Sequence, residues 1–364
     1  MPMREHIKRA VRGLLGGRCY DYHLYRRHHR WLLRHNGFPN RPAEGEAAYI
    51  AQWRQLQKHV EPYSYRLFSH FCGPTPDIIP EDVMHSTIEL CLNPRDQWDI
   101  YEDKNNFARY LSPDLLPRAV ASRQAGSPTQ WHCDLHSISR PLILKPSVGT
   151  SCGESIMRFD KHGSEWVSAE GTLLTEGFLL SYGPDWVLQE AVAQHPDLAQ
   201  FCQTAVCTVR VVTYRSVADE VPHLTAAVLR VGPSGAVVDN IVAGGRFLGV
   251  NPVDGSIKGP FISRFGQRTD VCNGVNIAAG RYCIPCWDGV VALALHVASR
   301  IVPHRLLALD ITVNAAGKPV LVEYNIGGFT TYLFHFTGQT VLGSYTREVI
   351  AHCRQHIRTQ NSRW

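Results

Sequence analysis

Near the C-terminus, the segment Leu306–Gly328, LLALDITVNAAGKPVLVEYNIGG, constrains the chain to a β-hairpin. Two alternating apolar runs flank Asn314–Lys318, a turn-like cluster. With Ala315–Lys318 as the loop, position 310 falls opposite 323. Alternation then predicts Asp310, Glu323 and Asn325 on one face, with Ile311, Val313, Val322 and Tyr324 on the other. Carboxylates facing each other across a strand pair repel, so they do not stabilise a bare hairpin. A divalent cation reverses the sign, because Asp, Glu and Asn offer the hard oxygens that suit magnesium. Taken alone, the pattern is equally satisfied by two acids on a wet sheet face.

At 364 residues, with 44% hydrophobic and 19% charged residues, the chain has the makings of a soluble protein with two or three lobes. No apolar run approaches the ~20 residues of a membrane span. The opening MPMREHIKRAVRGLLGGRC lacks a signal-peptide core, so the expected location is cytoplasmic. Charge is unevenly placed. Residues 1–60 hold 12 Lys/Arg against 4 Asp/Glu, a net +8, so the other 304 residues sum to −3 within the overall +5. The densest part runs from Arg26 to His35. It reads either as a solvated helix face packed through Trp31, Leu32 and Leu33, or as a contact for anionic lipid or a polyanion. No nucleic-acid motif accompanies the charge, so nucleic acid is not an expected partner. The 11 cysteines are scattered singly, which argues for a reducing compartment rather than a disulfide framework. One CxxC pair, Cys283 and Cys286, reads as structural thiols, with a redox or zinc role as the alternative.

Residues 1–70 read as basic helices and residues 77–130 as Pro-punctuated helical pieces, one starting at Pro80 with acids at its positive end. From Pro141 onward strands dominate: Leu142–Lys145, a hairpin of Ile156–Phe159 and Glu165–Ala169, Trp186–Glu190, Thr208–Tyr214 and His223–Val231. Arg281–Val302 carries Val290, Leu293, Ala294, Val297 and Ile301 at helical spacing.

Lys145 ends an apolar strand and is followed by Ser147, Gly149, Thr150, Ser151, Cys152 and Gly153. Such a loop lets backbone N–H groups approach phosphate oxygens, while hydroxyls and the ammonium add donors. The lysine precedes the glycines, so this is not a Walker A loop. An ordinary hairpin turn is the simpler alternative. The strand Trp186–Glu190 ends in Gln189 and Glu190, where backbone could meet an adenine edge, with His195 and Asp197 following at a distance suited to a ribose. Lys104 stands at an expected helix start.

The ordered blocks DKNNF, LILKPSVGTSCGES, WVLQEAV, TVRVVT, VVDNIVAGG and LALDITVN…VLVEYNIGG resemble the ATP-grasp superfamily over roughly residues 75–355. Within it the chain is similar to the sugar-transfer associated ATP-grasp family, found among polysaccharide-biosynthesis genes. The resemblance implies an α/β (α+β) fold in which two lobes grip ATP, with an extra helical region before them. The expected divisions are a basic helical region 1–70, an N-terminal lobe 71–135, a small lobe with the phosphate loop 136–192, and a large lobe with the hairpin 193–364. Lys104 and Lys145 look like the lysines on the ATP phosphates, with Ser147, Gly149, Thr150, Ser151 and Gly153 in the covering loop. Gln189, Glu190, Ala191 and Val192 look like the adenine hinge, and His195 a ribose neighbour. Asp310, Glu323 and Asn325 look like Mg²⁺ ligands, with Mn²⁺ as a substitute. Arg210 would face the reacting carboxylate or acyl phosphate, and Asn240 would border the same pocket. Two departures stand out: Cys152 replaces a glycine or other small residue, and the run from Gly327 replaces a Pro-containing segment.

The implied activity is an ATP-dependent ligase joining a carboxylate, such as a uronic-acid sugar, to an amine or amino acid through an acyl phosphate. Alternatives are a phosphotransferase on the same scaffold and a non-catalytic ATP-binding partner of a glycan-assembly complex. On this reading Asp310→Ala and Glu323→Ala abolish turnover and leave the fold intact.

Overall fold

The computed structural model describes residues 17–149 and 155–360. It contains two antiparallel sheets. The smaller comprises β1 (Ala119–Arg123), β2 (Gln130–Trp131), β3 (Leu142–Pro146), β4 (Met157–His162), β5 (Glu165–Ser168) and β6 (Trp186–Glu190), in the order β2-β1-β6-β3-β4-β5. The larger takes β7 (Thr208–Arg215), β8 (Pro222–Val231), β9 (Arg246–Val250), β10 (Ile257–Ser263) and β11 (Arg268–Thr269). A small hairpin of β12 (Val271–Cys272) and β13 (Val275–Asn276) stands apart before β14 (Leu306–Val313) and β15 (Pro319–Asn325) complete the larger sheet. Its order is β11-β10-β9-β8-β7-β14-β15.

Helices cover both faces of the larger sheet, so its central strands read as nearly continuous apolar runs. Along β14, Leu306 and Ala308 enter the core shared with the N-terminal helices, whereas Leu307, Leu309, Ile311 and Val313 enter the core on the other side. The first core gathers α1 (Gly17–His35), α2 (Glu46–Trp53), α3 (Tyr63–Cys72) and a helix over residues 81–92 interrupted by a π turn at Met84–Ile88. The second is filled by α4 (Trp287–Arg300), whose Val290, Leu293, Ala294 and Val297 are buried at the expected helical interval. The expected helix began six residues earlier. Cys283 instead pairs with Ser256 as an isolated bridge, and Cys286 adopts φ 51° just before the first turn. The described residues end on α5 (Thr346–Gln360), which packs into the first core.

Asp310 pairs with Glu323, the expected register. The turn is held by Asn314 Oδ1, which accepts from the N–H groups of Ala316 and Lys318 at 3.0 and 2.9 Å. Gly317 takes φ 76° there, a conformation other residues rarely adopt. One feature departs from simple alternation. The register shifts between Asp310 and Ile311, so Ile311 pairs with Leu321 and Val322 is the extra residue. Leu321 therefore shares the buried face with Tyr324, and Val322 turns toward the site instead of away from it. Among the described residues, no helix is long and apolar enough to cross a membrane.

Candidate active site

A cavity of about 670 Å³ lies between the two sheets. Strand alternation explains its walls. In the small sheet, Leu142 and Leu144 pack inward while Ile143 and Lys145 face the cavity. In the large sheet, Val212, Tyr214, Ala226, Val228 and Ala308 pack against the N-terminal helices. Farther along that same face, at steps of two, stand Arg210, Arg230 and Asp310, all at the cavity. One sheet face is thus apolar at one end and ionic at the other.

Asp310, 2% exposed, is the hub of the ionic end. Arg210 donates to it in a two-pronged fashion, Nε to Oδ1 at 2.8 Å and Nη2 to Oδ2 at 2.7 Å. Arg230 adds Nη1 to Oδ2 at 2.8 Å, and its Nη2 lies 3.0 Å from Asp239 Oδ1. Asp239 in turn accepts from the N–H of Thr208 at 3.1 Å and from its hydroxyl. Burial alone would raise the Asp310 carboxyl, but the two guanidinium groups outweigh it and hold it below its ordinary range. Burial opposes the charge on Arg230 as well, and the carboxylates of Asp239 and Asp310 more than restore it.

Glu323 and Asn325 continue the site along β15. Glu323 has a side chain 34% exposed, with Lys104 Nζ 3.5 Å from Oε2. Asn325 donates weakly to Ala308 O at 3.4 Å. Lys145 Nζ lies 3.5 Å from Val322 O, and burial followed by the nearby Lys104 ammonium pulls Lys145 down to about 8. The donor set fits a hard divalent cation. Asp310 Oδ1 takes one hydrogen bond and keeps a second lone pair, Glu323 faces the cavity, and the Asn325 amide supplies a third oxygen source. Among the described residues, no group of three or more His, Cys, Asp or Glu could hold a metal, so this set depends on the Asn325 amide. Cys283 and Cys286 are free, exposed thiols.

The cavity brings together Lys104, Lys145, Gln189, Glu190, Ala191, Val192, Arg210, Asn240, Asp310, Glu323 and Asn325. The Ala191 N–H already donates to Pro141 O at 2.7 Å, and the Glu190 carboxylate accepts from Arg118 at 2.8 Å. Asn240 Oδ1 accepts from the Val242 N–H at 2.8 Å, capping a short 3₁₀ turn. His195 is not brought to the cavity lining. Its Nδ1 accepts from the Asp197 N–H at 3.2 Å, which caps Pro196–Ala199, and its own N–H binds Val313 O. Ser147 is fully buried and Gly149 exposed, neither of them lining the cavity. Thr150, Ser151 and Gly153 lie outside the described residues.

Arg230, Arg158, Asp239 and Glu102 also line the cavity and carried no expectation. Arg230 had the same signal as Asp310, a charged residue in step with inward apolar positions, here Ala226 and Val228. The run after the hairpin is held from behind. Glu89 accepts from the Gly328 N–H at 3.0 Å, and Glu81 accepts from the N–H and hydroxyl of Thr331. His85 sits between those two carboxylates, 3.0 Å from Glu89 and 3.5 Å from Glu81. Burial lowers its pKa, but the glutamates prevail and push it up to about 10, so it stays charged at neutral pH.

The sequence profile of sugar-transfer associated ATP-grasp proteins matches residues 84–349, and the chain belongs to that family. Its two-sheet clasp is the ATP-grasp fold. Among solved structures, the chain is similar to the ADP complex of purK, N5-carboxyaminoimidazole ribonucleotide synthetase, at 14% identity and TM-score 0.38, covering 66% of this chain and 51% of that one. It is also similar to an L-amino acid ligase from Bacillus licheniformis, at 12% and 0.36, covering 72% and 48%. A third is the D-cycloserine synthetase DcsG, at 14% and 0.38, covering 72% of each chain. The chain spans about half the length of the first two. A comparison with curated proteins finds no match.

Proposed function

We propose that the chain is an ATP- and Mg²⁺-dependent carboxylate–amine ligase, releasing ADP and phosphate, that acts on a small-molecule or sugar carboxylate. The observation that carries this reading is the meeting of Asp310, Glu323 and Asn325 with Lys104 and Lys145 in one cavity. A carboxylate is a poor acylating agent at neutral pH, because its leaving group would be an oxide. Attack by its oxygen on the γ-phosphorus of ATP breaks the bond to ADP and forms an acyl phosphate. An amine then attacks the acyl carbon, phosphate leaves and the amine loses a proton, giving an amide. Lys104, Lys145 and Arg210 supply positive charge where negative charge spreads over the phosphoryl oxygens. Mg²⁺ held by Asp310, Glu323 and Asn325 would neutralise charge between the β- and γ-phosphates. Gln189 to Val192 form the adenine side, and Asn240 borders the acceptor side. The proposed lobes meet across this cavity, one over residues 136–192 and the other over 193–364.

Glu323→Gln is the direct test. The side chain is partly exposed and its nearest charge is Lys104, so stability should change by less than about 1 kcal/mol. Mg²⁺-dependent ADP release, measured with pooled uronic-acid sugars and amino acids, should fall by at least about a hundredfold. In the wild-type reaction, hydroxylamine should trap the acyl phosphate as a hydroxamate. Undiminished turnover in the variant would sink the metal assignment. A stable phosphorylated product without hydroxamate would make the protein a phosphotransferase.

A further inference from the structure

The first long helix among the described residues carries a face that the proposed chemistry does not use. α1 buries Leu32 and Leu33 against the first core and presents Arg27, Arg30, Trp31 and Arg34 to solvent at intervals of three and four. These four recur along one side, so they form a continuous stripe. The one acid between residues 17 and 35 is Asp21, which is buried. Among the described residues, Arg27, Arg30 and Arg34 form no ion pair, although Arg30 lies over the Tyr63 ring at 5.8 Å. Charge of the same sign leads into the helix, because residues 1–16 contain Arg4, Lys8, Arg9 and Arg12 against Glu5 alone. The loop after β10 adds Arg264, which sits over Phe265 at 4.8 Å, and Phe265 meets the Trp31 ring edge-on at 5.3 Å.

We propose that the outer face of α1 is a docking surface for an anionic lipid bilayer. The charge calls for an anionic partner, and Trp31 decides which kind. This indole is 45% exposed beside an open groove lined by Leu24, Tyr25 and His28. Two histidines stack with it along the helix, His28 at 6.3 Å and 20° and His35 at 4.7 Å and 15°. A sugar ring or a nucleobase needs an open aromatic face to stack on. Trp31 instead has histidines stacked with it along the helix, His28 and His35, and it stands in a stripe of exposed arginines. That combination suits the headgroup level of a membrane, where indoles sit amphipathically and arginines meet lipid phosphates. The contact is peripheral, since no helix among the described residues can span a bilayer.

Co-sedimentation of the full chain with phosphatidylcholine vesicles, with or without about a third phosphatidylglycerol, tests this. The chain should bind the anionic vesicles and not the neutral ones, more weakly as salt rises. Arg27→Gln with Arg34→Gln should weaken vesicle binding roughly thirtyfold, while ADP release in solution and thermal unfolding stay unchanged. Trp31→Ser should weaken it separately. Absence of binding to anionic vesicles overturns the proposal, as does binding that the double arginine variant retains in full. Capture by an acidic polysaccharide or RNA without any vesicle binding would also overturn it.

Discussion

Asp310→Ala should unfold far more easily than the native protein, by about 3–5 kcal/mol in urea titration, as well as losing turnover. Three bonds from two guanidinium groups converge on this one buried carboxylate. Removing it leaves Arg210 and Arg230 crowded at the end of a sheet face with their partner gone, and Asp239 balances only one of them. A metal ligand on a wet surface would behave otherwise, losing activity while keeping its fold. The ligase reading of the sequence expected Asp310→Ala to lose turnover and keep its fold; the depth of Asp310 in the structure predicts a loss of stability as well. Asp310→Asn keeps the shape and some acceptor capacity, so its loss should be intermediate. An Asp310→Ala protein with native urea stability would mean the arginines find other partners and the network is incidental. For this reason Glu323, not Asp310, separates metal binding from folding.

Lys145→Met should do the opposite, strengthening the fold while abolishing Mg·ATP binding. Lys145 lies buried at the end of β3, and burial followed by the Lys104 charge lowers it from 10.5 to about 8. That fall corresponds to roughly 3 kcal/mol of penalty carried by the charged form. Below pH 8 the lysine is protonated in both folded and unfolded chains, so the whole penalty applies. Between pH 8 and 10.5 the unfolded chain binds more protons than the folded one, so native stability rises with pH through that range. The advantage of methionine should therefore be full at pH 7 and fade as pH climbs past 8. An incoming polyphosphate would favour the ammonium, and wild-type affinity for ATP should fall above about pH 8. Thermal unfolding across pH, with and without Mg·ATP, reads all three effects. A destabilised Lys145→Met at pH 7 would show that the bond to Val322 O and the nearby acids outweigh burial.

The paired acids were readable because a hairpin is local. A turn cluster and two alternating runs determine which residue faces which, and 310 against 323 follows without knowledge of the rest of the chain. The shift between Asp310 and Ile311 was not readable, because a bulge costs one residue and leaves no composition signal. It exchanged the roles of Leu321 and Val322. Arg230 was hidden differently. Its periodic position was visible, but whether an inward arginine finds a carboxylate depends on strands 80 residues apart in sequence. His195 shows the converse ambiguity: outside the cavity lining, its Nδ1 caps the next helical turn, a role that a polar residue after a strand takes as readily as meeting a ligand. The Glu81, His85 and Glu89 row was invisible for a third reason. Its targets, Gly328 and Thr331, are backbone donors about 240 residues downstream.

The shared core beneath α1 bears on the order in which the protein can assemble. Leu32, Tyr65, Ile79 and Met84 belong to one cluster with Leu306, Phe334 and Val349. Asn93 likewise bonds the carbonyls of Leu306 and Ile326. During synthesis, the opening helices leave the ribosome long before the strands that cover them exist. They must wait, apolar faces unpaired, until more than 200 further residues have been made. Such distant closures are slow, and the waiting segments invite chaperones or aggregation. These helices, made before the strands that cover them, are among the last elements to become structure.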